Sequence, residues 1–378
     1  MKIMWSSLIK APRKEMCRNQ KGFSVLELLI ALALGLLVVA GIIQLFVGNS
    51  RTYEIVNAQS RLQENARFAF DFISERARSA GYFGCAPEDT KIARHLTGNW
   101  NLIPEYNITE PVDGWESNGD STFVPDDLVS LPRTSAGANT FVHVDGNGID
   151  RTELSAVSDI LVFRASEQPL GRLATTLQPT GNPVVFTPGG TPSFAAEDVV
   201  LVSDCEQAAL FKVTAVATVG DETTLTRAVV GGGLFDNDAN ITTPSGDVIA
   251  ATLSIVGRSY GADAKISRVQ STFFFIADSA ETNNRGEDVL ALWQKSGSGA
   301  PVELVQGVED MQVLYGVDTT DDNTLNVNQY QTIDDVVDVN DIVAVRVTLT
   351  VSSVDVLTEN ANQRLQRTYT KTIHVRNV

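Results

Sequence analysis

From Leu28 to Ser50 the chain carries no charged residue, a run of 23 positions dominated by Leu, Ile, Val and Ala. A helix crosses the hydrocarbon of a bilayer in ~20 apolar residues, so the run is long enough to span one. After Ser50 the apolar positions thin out but keep a helical period: Ile55, Leu62, Ala66, Ala69, Ile73 and Ala77 recur on one face. Phe68 and Phe72 are expected to widen that face for core packing. Arg51, Glu54, Arg61, Glu64, Arg67, Asp71, Glu75, Arg76 and Arg78 supply the polar sides. Gly81 is a helix stop. The pattern predicts one helix from Phe23 to Ser79, 57 residues, or roughly 85 Å at 1.5 Å per residue. Its first half would sit in the membrane and its second half would pack on a sheet.

Beyond Gly81 the apolar positions take the period of strands. Residues 160–163 and 199–202 are short continuous apolar runs, 210–216 mostly alternate, and 272–277 read as a buried strand. A further apolar stretch, 289–293, follows a turn at Asn284-Arg285-Gly286. Val343, Val345, Val347, Leu349 and Val351 alternate with Ala344, Arg346, Thr348 and Thr350, which predicts a strand with one buried face. Residues 368–375 predict a last strand. Residues 97–157, 167–196 and 229–249 are rich in Gly, Pro, Ser, Thr, Asn and Asp and read as long loops, with a candidate boundary near 250. A long N-terminal helix followed by antiparallel strands predicts an α+β fold.

Composition narrows the function classes. The 378 residues are 43% hydrophobic and 20% charged, the balance of a folded protein rather than a disordered one. Residues 1–22 hold Lys2, Lys10, Arg13, Lys14, Arg18 and Lys21 against Glu15 alone, a net of +5 within a total of −17, which leaves −22 on the other 356 residues. That acidity disfavours nucleic acid and anionic membrane, both polyanions, so no direct nucleic-acid partner is expected. A basic head, an apolar run and an acidic body form a targeting layout that keeps the head cytoplasmic and puts the body outside the cytoplasm. A buried core helix could share the composition of the run but not the basic leader.

A secretory signal places a small-residue cleavage site after an apolar core of ~7–15 residues. Here the core is longer and the small residue comes first, in Lys21-Gly22-Phe23. Glu27 lies four residues past Phe23, where a carboxylate entering hydrocarbon is costly and calls for a partner; the alternative leaves it unpaired at headgroup level. The stretch Gly22-Phe23-Ser24-Val25-Leu26-Glu27, followed by Leu28-Leu29-Ile30-Ala31-Leu32, resembles the class III signal of type IV pilins and type II secretion pseudopilins. The resemblance implies a prepilin peptidase that cuts after Gly22, methylates the new amine of Phe23 and leaves the apolar helix in place. It implies that Glu27 registers subunits by pairing with a neighbour's amine. Many major pilins carry a Pro within the apolar helix. Here Pro is absent from residues 23–86, and Gly35, Gly41 and Gly48 are the helix weaknesses, each costing about 1 kcal/mol relative to Ala.

The body resembles one branch of that family, the PilW-type minor pilins. The residues that carry the likeness are Gln59-Ser60-Arg61-Leu62-Gln63-Glu64-Asn65-Ala66-Arg67, Ala80-Gly81-Tyr82-Phe83-Gly84-Cys85, Ser203-Asp204-Cys205, the stretch from Gly307-Val308-Glu309-Asp310 to Asp318, and Arg376-Asn377. The likeness implies a pilin-like fold. A cleaved leader (1–22) precedes a membrane and filament-core half-helix (23–50), an amphipathic half-helix (51–81) and a periplasmic β-rich body (82–378). It implies a minor pilin that primes type IV pilus assembly, waits in the inner membrane and ends at the pilus tip, with twitching motility as the readout. Its partners would be other minor pilins, the major pilin and the inner-membrane assembly platform. The rivals are a minor pseudopilin of type II secretion and a tip adhesin using residues 97–157 or 229–249.

Cys17 would leave with the leader. Cys85 and Cys205 remain as an even pair in an oxidising compartment, and read as a disulfide from the end of the helix to the sheet, or else as two buried thiols. His95, His143 and His374 stand apart from one another and from any Cys at metal-ligand spacing. Asp318, Asp321, Asp322 and Asn323 alternate acidic and amide oxygens that could hold Ca²⁺. They lack the Gly and terminal Glu of an EF-hand loop, which favours a solvated acidic loop. With no nucleophile elbow, P-loop or zinc-helix motif, neither an enzyme nor a cofactor is expected.

Overall fold

The computed structural model describes residues 22–84, 92–98, 107–108, 110–117, 123–124, 140–141, 149–150, 155, 157–167, 170–178, 181–187, 194–229, 235–242, 248–249, 259–297, 300–320, 326–357 and 364–375. They fall into two compact units, Met1–Val56 and Asn57–Val378. The first contains the opening of a single helix, α1 (Val25–Ser79). Residues 28–50 are exposed throughout. A bare apolar surface of that extent is not stable in water and marks a surface meant for lipid or for other helices.

In the second unit α1 buries Leu62, Ala66, Ala69, Phe70, Ile73, Ser74 and Ala77. Ala66, Ala69, Ser74 and Ala77 make this face mostly small residues. The expected stripe needs correcting at its edges. Phe68 and Phe72 are 49% and 37% exposed, Ile55 is 47% exposed, and Phe70 takes the buried place instead. At 100° per residue Phe68 and Phe72 fall on the far shoulder of the cylinder from Ala66 and Ile73. Gly81, at φ +74°, ends the helix. Its N–H then donates to Arg164 O at 2.9 Å.

The principal strands are β1 (Ile92–Gly98), β2 (Val112–Ser117), β3 (Ile160–Ser166), β4 (Val199–Ser203), β5 (Ala208–Lys212), β6 (Phe235–Thr242), β7 (Lys265–Thr282), β8 (Asp288–Ser296), β9 (Val302–Gln306), β10 (Val308–Val317), β11 (Gln329–Gln331), β12 (Ile342–Ser352) and β13 (Gln366–His374). The larger sheet runs β6-β1-β5-β4-β7-β3-β2, with β8 also on β7 and β9 on β8. Its pairings are antiparallel except β1 with β5, which is parallel. A second antiparallel sheet runs β11-β10-β12-β13.

The continuous apolar runs are strands buried on both faces. Phe274 and Ile276 join the core with α1 and the second sheet, while Phe273 and Phe275 pack on Trp115 and Val162 behind. Val199 and Leu201 likewise face one cluster, and Val200 and Val202 another. From Val345 on, the alternation of β12 places Val345, Val347, Leu349 and Val351 in the core with α1 and leaves Thr348 and Thr350 half-exposed, as its pattern predicts; before it a register shift puts Ile342 rather than Val343 in that core, and Ala344, expected outside, is buried.

Three readings change. Residues 210–216 are not one strand: β5 ends at Lys212, and Ala215–Val219 pairs instead with Glu222–Thr226 in a separate hairpin. The expected loops contain β2 and β6, whose Asp, Asn and Gly content masks strands held by their neighbours, and the three-residue strand Val184–Phe186, which is too short to show a period. No boundary lies near 250, because β7 pairs with β4 and β3 from before it.

Candidate functional site

The first turn of α1 is a reciprocal cap. Ser24 precedes the helix, and its Oγ accepts from the Glu27 N–H at 3.2 Å. The Glu27 Oε2 accepts from the Ser24 N–H at 3.2 Å. Two of the N–H groups that every helix leaves orphaned are thereby satisfied, and the carboxylate sits at the positive end of the helix dipole. The Ser-x-x-Glu spacing carries this signal in the sequence; reading Glu27 only as a misplaced charge overlooks it. Gly22 and Phe23 lie just outside the helix, exposed, and nothing stands within 4 Å of the position a Gly22 Cβ would take. Gly22, Phe23 and Glu27 therefore share one short, open segment at the mouth of an apolar helix.

In the body, the residues singled out by sequence fall at joints. Gly307, at φ +79°, is the single residue between β9 and β10 and carries the chain from one sheet to the other. Its N–H donates to Leu290 O at 2.8 Å and its carbonyl accepts from the Ser352 N–H at 2.7 Å. Beside it Asn65 on α1 donates to Gln306 O at 3.0 Å, which ties the helix to the crossing. The helix-end and Ser203 motifs also meet: Gly84, at φ +83°, leaves no room for a Cβ, which would come 2.5 Å from Ser203 Oγ. Cys205 follows two residues on and is disulfide-bonded; Cys85 lies outside the described residues.

Of the calcium candidates, Asp318 lies among the described residues, and both of its carboxylate oxygens are already engaged. Asp318 Oδ1 accepts from the Thr320 N–H at 2.9 Å and the Thr320 hydroxyl at 2.8 Å, and Oδ2 accepts from the Asn326 N–H at 2.9 Å. Those bonds hold its carboxyl below the usual carboxylate range. Asp318 thus organises its own loop, while Asp321, Asp322 and Asn323 lie outside the described residues. Among the described residues no group of three His, Cys, Asp or Glu is arranged to hold a metal. His374 is exposed on β13, His95 belongs to β1, and His143 lies outside the described residues.

The sequence reading passed over the buried charges, of which Arg164 is one of the most enclosed. Arg164 on β3 is 1% exposed; its Nη2 donates to Asp113 Oδ2 at 2.6 Å and its Nη1 to Glu110 O at 2.6 Å. It fastens the approach to β2 onto β3. Removing one partner of such a pair costs far more than the pair itself contributes.

Two family comparisons bear on the chain. The prokaryotic N-terminal methylation motif matches residues 17–43, across Gly22, Phe23 and the Ser24–Glu27 cap. The family described as type IV pilus-assembly protein W matches residues 273–377, from within β7 past the end of β13. Together these two matches support a PilW-type pilin of the type IV pilus. No curated protein and no solved structure matches it. These pilin families are structural rather than catalytic, and the match implies interaction with the pilus machinery. The helix that anchors it is long and apolar enough to cross a membrane. The matched region of this pilin contains the Gly307 crossing, all of the second sheet and the face that receives α1.

Proposed function

We propose that this pilin is cut between Gly22 and Phe23 and then primes pilus assembly from the inner membrane, its body periplasmic, before riding at the pilus tip. The observation that carries the reading is the capped Glu27 beside an open Gly22–Phe23 bond at the head of an exposed apolar helix. Cleavage makes the Phe23 nitrogen an amine, cationic near neutral pH. Glu27 Oε2 is engaged with its own Ser24 N–H, which leaves Oε1 to accept from the methylated amine of a neighbouring stem. In hydrocarbon neither charge is stable alone, so pairing favours a docked stem over an isolated one. Cys85 is the proposed partner of Cys205, clamping the helix end to the β4–β5 turn. The proposed neighbours are other minor pilins and the major pilin, with the assembly platform supplying motion; the protein itself performs no catalysis and needs no cofactor.

The test is Glu27→Ala expressed from the chromosome. The variant is expected to insert and to be processed to a methylated Phe23 start, yet to lose co-purification with partner pilins and to abolish twitching while secretion continues. Normal co-assembly, or a wild-type chain that mass spectrometry finds starting at Met1, overturns the proposal. Loss of secretion with motility intact would assign the chain to the type II system instead.

A further inference from the structure

A group of carboxylates gathers where the two sheets touch. Asp159, in the residue before β3, is 3% exposed. Its Oδ1 accepts from the Ser117 N–H of β2 at 3.1 Å and its Oδ2 from the Val313 N–H of β10 at 2.8 Å. One side chain thus clips the larger sheet to the second. The clip is riveted on both sides: the Asp159 N–H donates to Met311 O at 2.9 Å, and Gln312 Nε2 donates to Val157 O at 2.7 Å. Glu116 on β2 stands one step along the β2–β3 register from the Trp115–Ile160 pair, beside Asp159. A short 3₁₀ turn, Ile333–Asp335, packs against β2 and brings Asp334 and Asp335 to the same place. A second 3₁₀ turn, Val339–Asp341, also touches β2 and carries Asp341 after the capping Asp338. β10 adds Asp310 and Tyr315. On the β3 side Arg164 is engaged with Asp113 and Glu110.

We infer that this seam is a proton-operated latch: a proton held among Glu116 and Asp159 keeps the 332–341 connection seated on β2, and its loss lets like charges push that connection away. Burial, then Asp159, Asp334 and Asp335, push the Glu116 carboxyl up to about 7. Burial also raises Asp159 to about 6 against the lowering effect of its two backbone donors, and Asp310 and Asp334 add to the rise. Asp310 moves up for the same first reason. The Tyr315 hydroxyl, fully buried beside Asp113, Asp159 and Glu116, is pushed well above its ordinary value and stays neutral.

The sign follows from linkage. A carboxyl raised in the folded state holds a proton that the open state releases, so its contribution is complete below the ordinary value of about 4 and fades as pH rises through 6 to 7. The latch closes in mild acid and opens toward pH 8. Its members differ in exposure, Glu116 being half-buried and Asp334 and Asp335 exposed, so salt should weaken the repulsion.

The full chain in detergent micelles tests this by hydrogen exchange at pH 5.5, 7 and 8, corrected for intrinsic rates. Protection of the Val336 and Asp341 amides, which donate to Ile333 O and Asp338 O, is expected to fall on the order of tenfold from pH 5.5 to 8, the full linkage effect discounted for solvent screening. Molar salt at pH 8 should recover part of it. Glu116→Gln is expected to hold the acid-level protection at every pH, and so is the Asp334→Asn/Asp335→Asn double variant, whose sites are exposed enough to leave folding intact. Wild-type protection that ignores pH, or a double variant that keeps the wild-type pH slope, overturns the latch.

Discussion

Replacing Gly307 by Ala separates two costs that the crossing between the sheets imposes. The residue sits at φ +79°, and a Cβ built there would lie 2.5 Å from the backbone carbonyl oxygen of Ser352. The left-handed backbone costs a non-glycine residue roughly 1–2 kcal/mol. The overlap adds about 1–3 kcal/mol, the range for forcing extra atoms into a packed site, because the obstacle is backbone already bonded to Gly307 and no side-chain rotation relieves it. The total is about 2–5 kcal/mol. Gly286 is the control: its φ is +77°, yet nothing lies within 4 Å of its Cβ position. Gly286→Ala therefore incurs only the backbone cost. At about 2 °C per kcal/mol for a unit this large, Gly307→Ala should lower Tm by about 4–10 °C and Gly286→Ala by about 2–4 °C. Thermal unfolding of the full chain in micelles, followed by tryptophan fluorescence, makes the comparison. Equal shifts for the two variants would refute the steric argument and leave only the dihedral one.

Other outcomes follow from the same structure. Asp159→Ala strands the Ser117 and Val313 N–H groups, each bond to a carboxylate being worth about 1.5–3 kcal/mol; urea unfolding at pH 7.5 should show a loss of about 3–6 kcal/mol, and Asp159→Asn, which keeps one acceptor, about half of it. Phe70→Ala should cost about 3–5 kcal/mol by emptying a core position, whereas Phe68→Ala, at a half-exposed site, should fall within about 1 kcal/mol of wild type in the same assay. Stability against pH should peak in mild acid: it declines toward pH 8 as Glu116 and Asp159 lose protons, and declines again below about pH 4 as Asp318, held low by its bonds, is protonated. A melting series in buffers from pH 3 to 9 reads both limbs. Millimolar calcium should leave the melting temperature unchanged, since Asp318 spends its oxygens on Thr320 and Asn326; a rise would revive the metal site.

Much of this protein is legible along the chain because its signals are local. A charge-free run longer than a bilayer is thick, a glycine before it and a carboxylate inside it need no tertiary contact to be recognised. The helix from its apolar head to Ser79, the glycine stop, and the strands β3, β4, β7, β8, β12 and β13 follow from period and length, since side chains repeat every 3.6 residues on a helix and every second residue on a strand. What the chain could not announce by itself depends on segments far apart meeting. Phe70 rather than Phe68 faces the core because the strands chose the helix's rotation. β2, an unpromising stretch of Asp, Gly and Glu, is a strand because β3 supplies its hydrogen-bond partners. Arg164, Asp159 and Gly307 owe their importance to Asp113, Val313 and Ser352, 51, 154 and 45 residues away in sequence. Local geometry sets what each segment can be; only the closing of long loops, whose entropy grows slowly with length, decides which segments touch.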